Sequence, residues 1–469
     1  MNIKIFLALL PSWGDDCLPP LGIPCISSNL VKNGYKVIKK DYNVSVYSKI
    51  ILKFNKLFSD YSNLFDENKY NKIIFPLFKN FLNKWTKEIL KSKSTIIGFT
   101  LYLTNKITIK KISEMIKAKD PDKIIILGGP ETGQNQDFMN WGTIDFAVTG
   151  DGDETLLQLV EAIKNSKTDY SNIKGLLYKD KEKQKIVYTG DNTITRLDNL
   201  PFPDFEGIDF KKYKWDSIPI EGSRGCINKC SFCSDVLLKN HYRFKSGKRI
   251  FEEVMHLINL GHMNFAFRDS LINGKISELE KFCDLVIESG INERKKKITW
   301  KGTACIRKEM TLELLKKMKE AGCYSLSYGV ESGSDDVLRM MNKRITASLT
   351  EEVLKNTYLA GIKVYIFILI GFPTETEENF RETMVFITKN KEYINWIFAG
   401  GGCTITPNSS LYNNPEKYDI YLLDDEQMLY KHPHAWHSKE SNPEIRKSRL
   451  KAFVEHCKSL NVKVVSFYK

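Results

Sequence analysis

The chain has 469 residues, of which 42% are hydrophobic and 27% charged, and a formal net charge of +13. That length is too great for one ordinary domain and suits two or three. No apolar run reaches the roughly 18 residues of a spanning helix, which argues against a transmembrane helix; lysine spread along the whole chain, without an RNA-binding signature, argues against nucleic acid as a partner.

The first stretch, MNIKIFLALLPSWGDDCLPPLG, reads as a buried strand running into a Pro/Gly turn, and it lacks the small-residue cleavage site of a signal peptide. A cytoplasmic chain is the expectation. After the turn, IPCISSNLVKNGY has helical periodicity closed by Gly34, and KVIKKDYN suits the next strand. Residues 44–95, rich in Phe, Lys and Asn, predict two amphipathic helices inserted in the unit. STIIGFTLY, KIIILGGPE and TIDFAVTG follow as buried strands, with NKITIKKISEMIKAKDP and DGDETLLQLVEAIKNS as helices. This alternation over residues 1–165 predicts an α/β fold, a Rossmann-like doubly wound parallel sheet. Its loops PSWGDDCLPPLG, LGGPET and TGDGDETL follow strands, at the edge where such sheets bind ligands. None matches G-x-G-x-x-G, so a dinucleotide is not indicated.

Residues 166–210 predict a linker with a hairpin, KGLLYKDKEKQKIVYTG, and a proline-marked boundary at LDNLPFPDFEGID. Residues 211–400 alternate again. SIPIEGSRG, NFAFRD, ITWKGTA, YSLSYGVES, KVYIFILIG and NWIFAGG read as strands separated by helices, which predicts a partial (β/α)6 barrel of the TIM type. Residues 401–469 are less regular and predict a small α-rich C-terminal region that caps the barrel or meets substrate. Within it, YKHPHAWHSKE holds His432, His434 and His437 beside Trp436; no carboxylate or cysteine completes a metal set, so a surface turn is expected.

The stretch GSRGCINKCSFCSD (222–235) sets Cys226, Cys230 and Cys233 at C-x3-C-x2-C, while the other seven of the ten cysteines are scattered. Structural zinc wants a fourth protein ligand, and His241 and His256 stand isolated. A [4Fe–4S] cluster held by three cysteines leaves one iron open for a substrate or cofactor. The trio follows the first barrel strand, at the end where barrel active sites lie.

This spacing, with the aromatic Phe232 before the last cysteine, resembles the radical S-adenosylmethionine (SAM) superfamily. The resemblance implies that the open iron binds SAM, whose reductive cleavage yields a 5′-deoxyadenosyl radical that abstracts hydrogen. YGVESGSDDVLRMMNKRIT is similar to the family's fourth-strand segment, which implies Glu331 and Ser332 near SAM. LIGFPTETEENF is similar to the segment backing the adenine, which brings in Gly371 and Pro373. RDSLING sits where the family has its amino-group motif and offers Asp269, though with Arg268 and Ser270 beside it in place of the usual glycines and glutamate. Arg307 is the candidate partner of the methionine carboxylate. The N-terminal segments resemble the cobalamin-binding domain of a large subgroup. They implicate Pro20, Leu21 and Gly22, then Gly128, Gly129 and Pro130, then Gly150, Gly152 and Glu154 in holding cobalamin. No histidine precedes His241, so no imidazole from this domain reaches the cobalt.

The resemblance implies radical methylation of an unactivated carbon, the methyl group coming from methylcobalamin. Members of the subgroup also carry out non-methylating rearrangement or cyclisation, and that alternative stays open. From another class, the chain would be a cluster- and cobalamin-binding sensor without catalysis. Methylthiolation is set aside, because the N-terminal region offers only Cys17 and Cys25 toward a second cluster. Expected partners are a small-molecule or peptide substrate and an electron donor such as flavodoxin or ferredoxin.

Overall fold

A computed structural model describes residues 3–466 apart from 13–17, 61, 134–135, 181–184, 193, 195, 235–240, 294, 401 and 423–434. The chain divides into two compact units, Met1–Asp216 and Ser217–Lys469.

In the first unit, β1 (Lys4–Leu9), β2 (Lys36–Asp41), β3 (Ile96–Thr100), β4 (Ile124–Gly128) and β5 (Phe146–Val148) pair in parallel in the order β2-β1-β3-β4-β5. Alternate side chains of β1 point to opposite faces. Phe6 and Ala8 meet a core that includes Ile112, Ile116 and Trp85, whereas Ile5 and Leu7 meet Leu30, Leu156 and Val160. Helices Lys106–Lys117 and Phe75–Lys91 therefore cover one face, and Gly22–Lys32 and Gly152–Lys164 the other. The sheet is doubly wound, with its order reversing between β1 and β3.

Two details depart from expectation. The insertion contains one long helix, Phe75–Lys91, preceded by a series of short helical segments such as Tyr42–Val46, Asn55–Ser59 and Ser62–Phe65. Asp41, Asp60 and Asp66 accept hydrogen bonds from the amides of Asn43, Ser62 and Lys69, so the chain restarts repeatedly instead of propagating a second helix. The hairpin, β6 (Leu176–Asp180) and β7 (Lys185–Tyr188), forms as expected but extends the sheet beyond β5 in antiparallel pairing. Phe146, Tyr170 and Tyr178 pack there, with Tyr170 5.0 Å from Phe146 and 5.4 Å from Tyr178 between ring centroids.

The second unit is built on a parallel sheet ordered β18-β15-β14-β13-β12-β11-β8. Its strands are β8 (Ile218–Ile220), β11 (Asn264–Phe267), β12 (Thr299–Ala304), β13 (Cys323–Glu331), β14 (Lys363–Ile368), β15 (Trp396–Ala399) and β18 (Val464–Ser466); β9 (Ser223–Arg224) with β10 (Arg243–Phe244), and β16 (Tyr421–Leu422) with β17 (Trp436–His437), form short antiparallel ribbons. All six expected strands are present. The C-terminal region is α-rich as expected and adds a seventh strand: helix Pro443–Ser459 leads into β18, which pairs in parallel with β15. Side-chain caps set the starts of the outer helices: Ser246, Thr311, Thr346, Thr376 and Asn442 each accept a hydrogen bond from an amide in the first turn. On β13, Tyr328 bonds Thr357 of helix Ala347–Leu359, which fixes Leu326, Tyr328 and Val330 on the helix side and leaves Ser325, Ser327 and Gly329 on the concave side.

Candidate functional site

The cysteine loop leaves the carboxyl end of β8. Gly225 enters it at φ +86, a region that favours glycine. The loop is pinned from two directions. Ser231 donates its amide to Met341 O (2.9 Å) and its hydroxyl to Met340 O (3.2 Å), and Asn342 Nδ2 reaches Lys229 O (2.7 Å). On the other side, the Leu411 amide bonds Ser231 O (3.0 Å), and Phe232 packs on a core that includes Phe372, Ile405 and Trp436.

Cys226, Cys230 and Cys233 are half-buried and in no disulfide. Burial pushes the Cys230 thiol up to about 11, against the pull of Lys343. Loading a metal group would have to displace that proton. Among the described residues, no three His, Cys, Asp or Glu converge on a single ion. An iron–sulfur cluster fits the trio better, since its cysteines bind separate irons.

Glu331 ends β13 where the register with β14 shifts, and it adopts φ +68. Such a conformation for a non-glycine residue is strained and concentrates at functional sites. Its carboxylate lies 3.3 Å from Lys343 Nζ. Burial pulls the Lys343 ammonium down, but Glu331 and Cys230 outweigh it and hold it above its ordinary range. Ser332 is turned away, with its hydroxyl 3.1 Å from Thr383 Oγ1 in helix Glu377–Asn390.

Asp269 follows β11 and grips the chain just ahead of the cysteines. Its carboxylate accepts from Gly222 N (3.0 Å) and Ser223 Oγ (2.6 Å), and burial pushes it up to about 7 despite those bonds. Arg307 donates to Asn273 O (2.7 Å) and Gly274 O (3.0 Å) and pairs with Glu309 (3.0 Å). Its guanidinium thus joins the loops after β11 and β12. Asn273 completes that brace by bonding both the carbonyl and the amide of Cys305.

Gly371 and Pro373 lie under the C-terminal segment. Gly371 has φ +76, and a Cβ there would meet Arg446 Cγ at 2.4 Å, so only glycine fits. Its amide bonds Glu375 Oε2 (2.8 Å), while Ser441 and Ser438 donate to the carbonyls of Gly371 (3.1 Å) and Pro373 (2.6 Å). Arg446 stacks 3.9 Å from the Trp436 ring centroid, and Arg449 bonds Glu375 O (2.8 Å). Lys343, Asn273, Glu375, Arg446 and Arg449 escaped the sequence reading. Asn273, Glu375 and Lys343 had a local signal, inside the quoted RDSLING, GFPTET and MNKRIT segments. His437 stacks on Tyr421 at 5.2 Å, whereas His432 and His434 lie outside the described residues.

In the first unit, the remaining candidates share the carboxyl edge of the sheet. Pro20 and Leu21 precede helix Gly22–Lys32, whose start has no side-chain cap. Gly128 ends β4, Gly129 follows at φ +107, and Pro130 opens a short turn. Gly150, at φ +67, lies against Asn192 O, and Gly152 and Glu154 stand in the first turn of helix Gly152–Lys164. Nothing lies within 4 Å of a Cβ built on Gly22 or Gly128. That open edge, with glycine backbone and an uncapped helix start, fits a large polar cofactor approaching the main chain.

Comparison with known proteins agrees with this geometry. Residues 220–387 match the radical SAM superfamily. An uncharacterized methyltransferase of Pyrococcus horikoshii is 26% identical over 309 residues, 65% of this chain and 66% of that protein. The anaerobic magnesium-protoporphyrin IX monomethyl ester cyclase of Cereibacter sphaeroides is 28% identical over 306 residues, 62% of this chain and 48% of that protein. The chain thus spans less than two thirds of the length of these relatives. Among solved structures, the radical SAM methyltransferase TsrM of Kitasatospora setae superposes with a TM-score of 0.72 at 14% identity, covering 97% of this chain and 89% of that one. The cobalamin-dependent enzyme OxsB gives 0.66 at 18% identity, covering 98% and 62%. Residues 220–387 thus carry a radical SAM domain, and the chain has the fold seen in the cobalamin-dependent enzymes TsrM and OxsB.

Proposed function

We propose that the chain is a cobalamin-dependent radical SAM methyltransferase acting on an unactivated carbon of a small molecule or peptide. The observation that carries this reading is the pinned loop presenting three half-buried cysteines, outside any disulfide, at the carboxyl end of β8. When bound, the cluster would supply an electron to cleave SAM and cobalamin would supply the methyl group. Cys226, Cys230 and Cys233 would hold the cluster. Glu331, fixed by Lys343, would accept hydrogen bonds from SAM, and the Gly371–Pro373 turn would offer its backbone to the adenine. Asp269 and Arg307 are committed to bracing the loops around that pocket and act as positioning residues. The loops at Gly22, Gly128 and Gly150 would approach the cobalamin tail. A reductant such as flavodoxin or ferredoxin is required.

Cyclisation without methylation is a second reading, favoured by the similarity to the magnesium-protoporphyrin ester cyclase at a level equal to that of the methyltransferase. The test is anaerobic reconstitution with iron, sulfide and hydroxocobalamin, then desalting. Retention of about one cobalamin and four irons per chain is expected. A cluster without cobalamin would remove methyl transfer from the proposal. A product heavier by one CH2 supports methylation; one lighter by two hydrogens supports cyclisation.

A further inference from the structure

The concave face of the second unit's sheet has no task in the account so far. On β14 and β15, Val364, Ile366, Ile397 and Ala399 are buried on the helix side, so the opposite parity faces inward. That parity is aromatic at consecutive positions: Tyr365 and Phe367 on β14, Trp396 and Phe398 on β15. The register sets Tyr365 beside Trp396 and Phe367 beside Phe398. Trp396 and Phe398 lie 6.3 Å apart at 10° between planes, and Phe367 and Phe398 lie 5.4 Å apart at 30°. The rings form one wall. Its innermost member is not covered: Phe367 keeps 37% of its surface exposed. Neighbouring strands present small side chains on this face: Thr303 pairs with Ser327 level with Tyr365, and Gly329 stands beside Phe367 with the Glu331 carboxylate and the Lys343 ammonium close to it. The face is therefore an apolar wall bordered by small side chains, with Phe367 left exposed, a surface suited to a planar ring.

Its charge completes the argument. At the amino ends of the strands, Lys363 precedes Tyr365 on the same face, and the Lys463 ammonium lies 5.6 Å from the Trp396 ring centroid. Neither lysine has a carboxylate partner among the described residues, and the buried Trp396 Nε1 has no acceptor there. The strands give this face one carboxylate, Glu331, already paired with Lys343. Cationic and N–H donors beside an aromatic wall call for an anionic substituent on the ring.

We infer that the substrate is a planar aromatic acid, its ring stacked on Phe367 and Phe398 and its acidic group directed to Lys363, Lys463 and the Trp396 indole. This deepens the proposed function and rests on it, since the wall would hold the substrate within the same barrel.

The test uses 2-naphthoate, titrated calorimetrically into the full-length reconstituted protein, with SAM cleavage followed separately on the same preparation. Wild type is expected to bind, Phe367→Ala to bind about ten-fold more weakly, and Phe367→Tyr to keep its affinity. Lys463→Gln is expected to weaken 2-naphthoate while leaving the neutral 2-naphthamide unaffected. Wild-type protein that cleaves SAM but does not bind 2-naphthoate, or binding indifferent to Phe367, would overturn the inference. Phe367-dependent binding in a protein that does not cleave SAM would support the aromatic-acid site and reject the radical reading instead.

Discussion

Lys343 is buried, lies 3.3 Å from Glu331, and follows directly on Met340–Asn342, whose backbone and side chain hold the cysteine loop. One ammonium thus serves both the strained end of β13 and the electrostatics of Cys230. Removing it should have two separable effects. Lys343→Met leaves a half-buried carboxylate without its cation, a loss of about 3 kcal/mol for a broken buried pair. It should also lower the midpoint potential of the reconstituted cluster by on the order of tens of millivolts, because a nearby positive charge favours the reduced form. Thermal unfolding and an electron paramagnetic resonance titration would measure these, and Lys343→Arg should restore both. An unchanged potential in a folded variant would assign Lys343 to Glu331 alone. The cysteine trio was legible because its chemistry is written within eight residues. Lys343 was not singled out, since its effect on Cys230 depends on its neighbours Met340 and Asn342 holding Ser231 and Lys229, more than 100 residues away in the chain.

At the scale of elements, helix Pro443–Ser459 acts as a clamp. Through Arg446 and Arg449 it closes over the turn that begins at Gly371, and through β18 it extends the barrel sheet. Period and caps made the six barrel strands and their helices readable. β18 escaped because its three residues, though they include Val464 and Val465, are too short a run to mark a strand apart from their partner β15. The insertion misled for a related reason: its apolar spacing is helical, but local hydrogen bonds to Asp side chains win over propagation. The clamp carries a pH signature. Burial raises the Glu375 carboxyl from 4.5 to about 7, with Arg449 Nη1, at 3.5 Å, offsetting only part of that shift. The folded chain then binds this proton more tightly than the unfolded chain does. Its contribution is fully present below about pH 4.5 and is lost as pH rises through about 7, in all about 3 kcal/mol. Glu375→Gln should remove this loss, so that the urea midpoint of the variant falls less than that of wild type between pH 5 and pH 8. Parallel profiles would mean that the carboxylate is stabilised in place and the clamp is insensitive to pH.

For the whole molecule, both sheets could be derived from alternation alone, and the second also from the position of its cysteines. The hairpin shows what alternation leaves out. It could be read as β6 and β7, but its attachment to β5 depends on the Phe146–Tyr170–Tyr178 cluster, which no local pattern announces. Cobalamin is the less specific half of the functional reading for the same physical reason. Glycine turns at a sheet edge suit many ligands, whereas three thiols at this spacing suit few. The choice between methylation and cyclisation depends on where the substrate radical meets its next partner, and the residues that decide it are not grouped in the sequence.

The most direct measurement is 5′-deoxyadenosine formation from SAM by the anaerobically reconstituted protein under reducing conditions, compared with Cys230→Ala. Formation by the wild type and its loss in the variant is the expected result. Equal yields from both proteins, or none from a wild type carrying a full four-iron cluster, would contradict the assignment of Cys226, Cys230 and Cys233 to a SAM-cleaving centre.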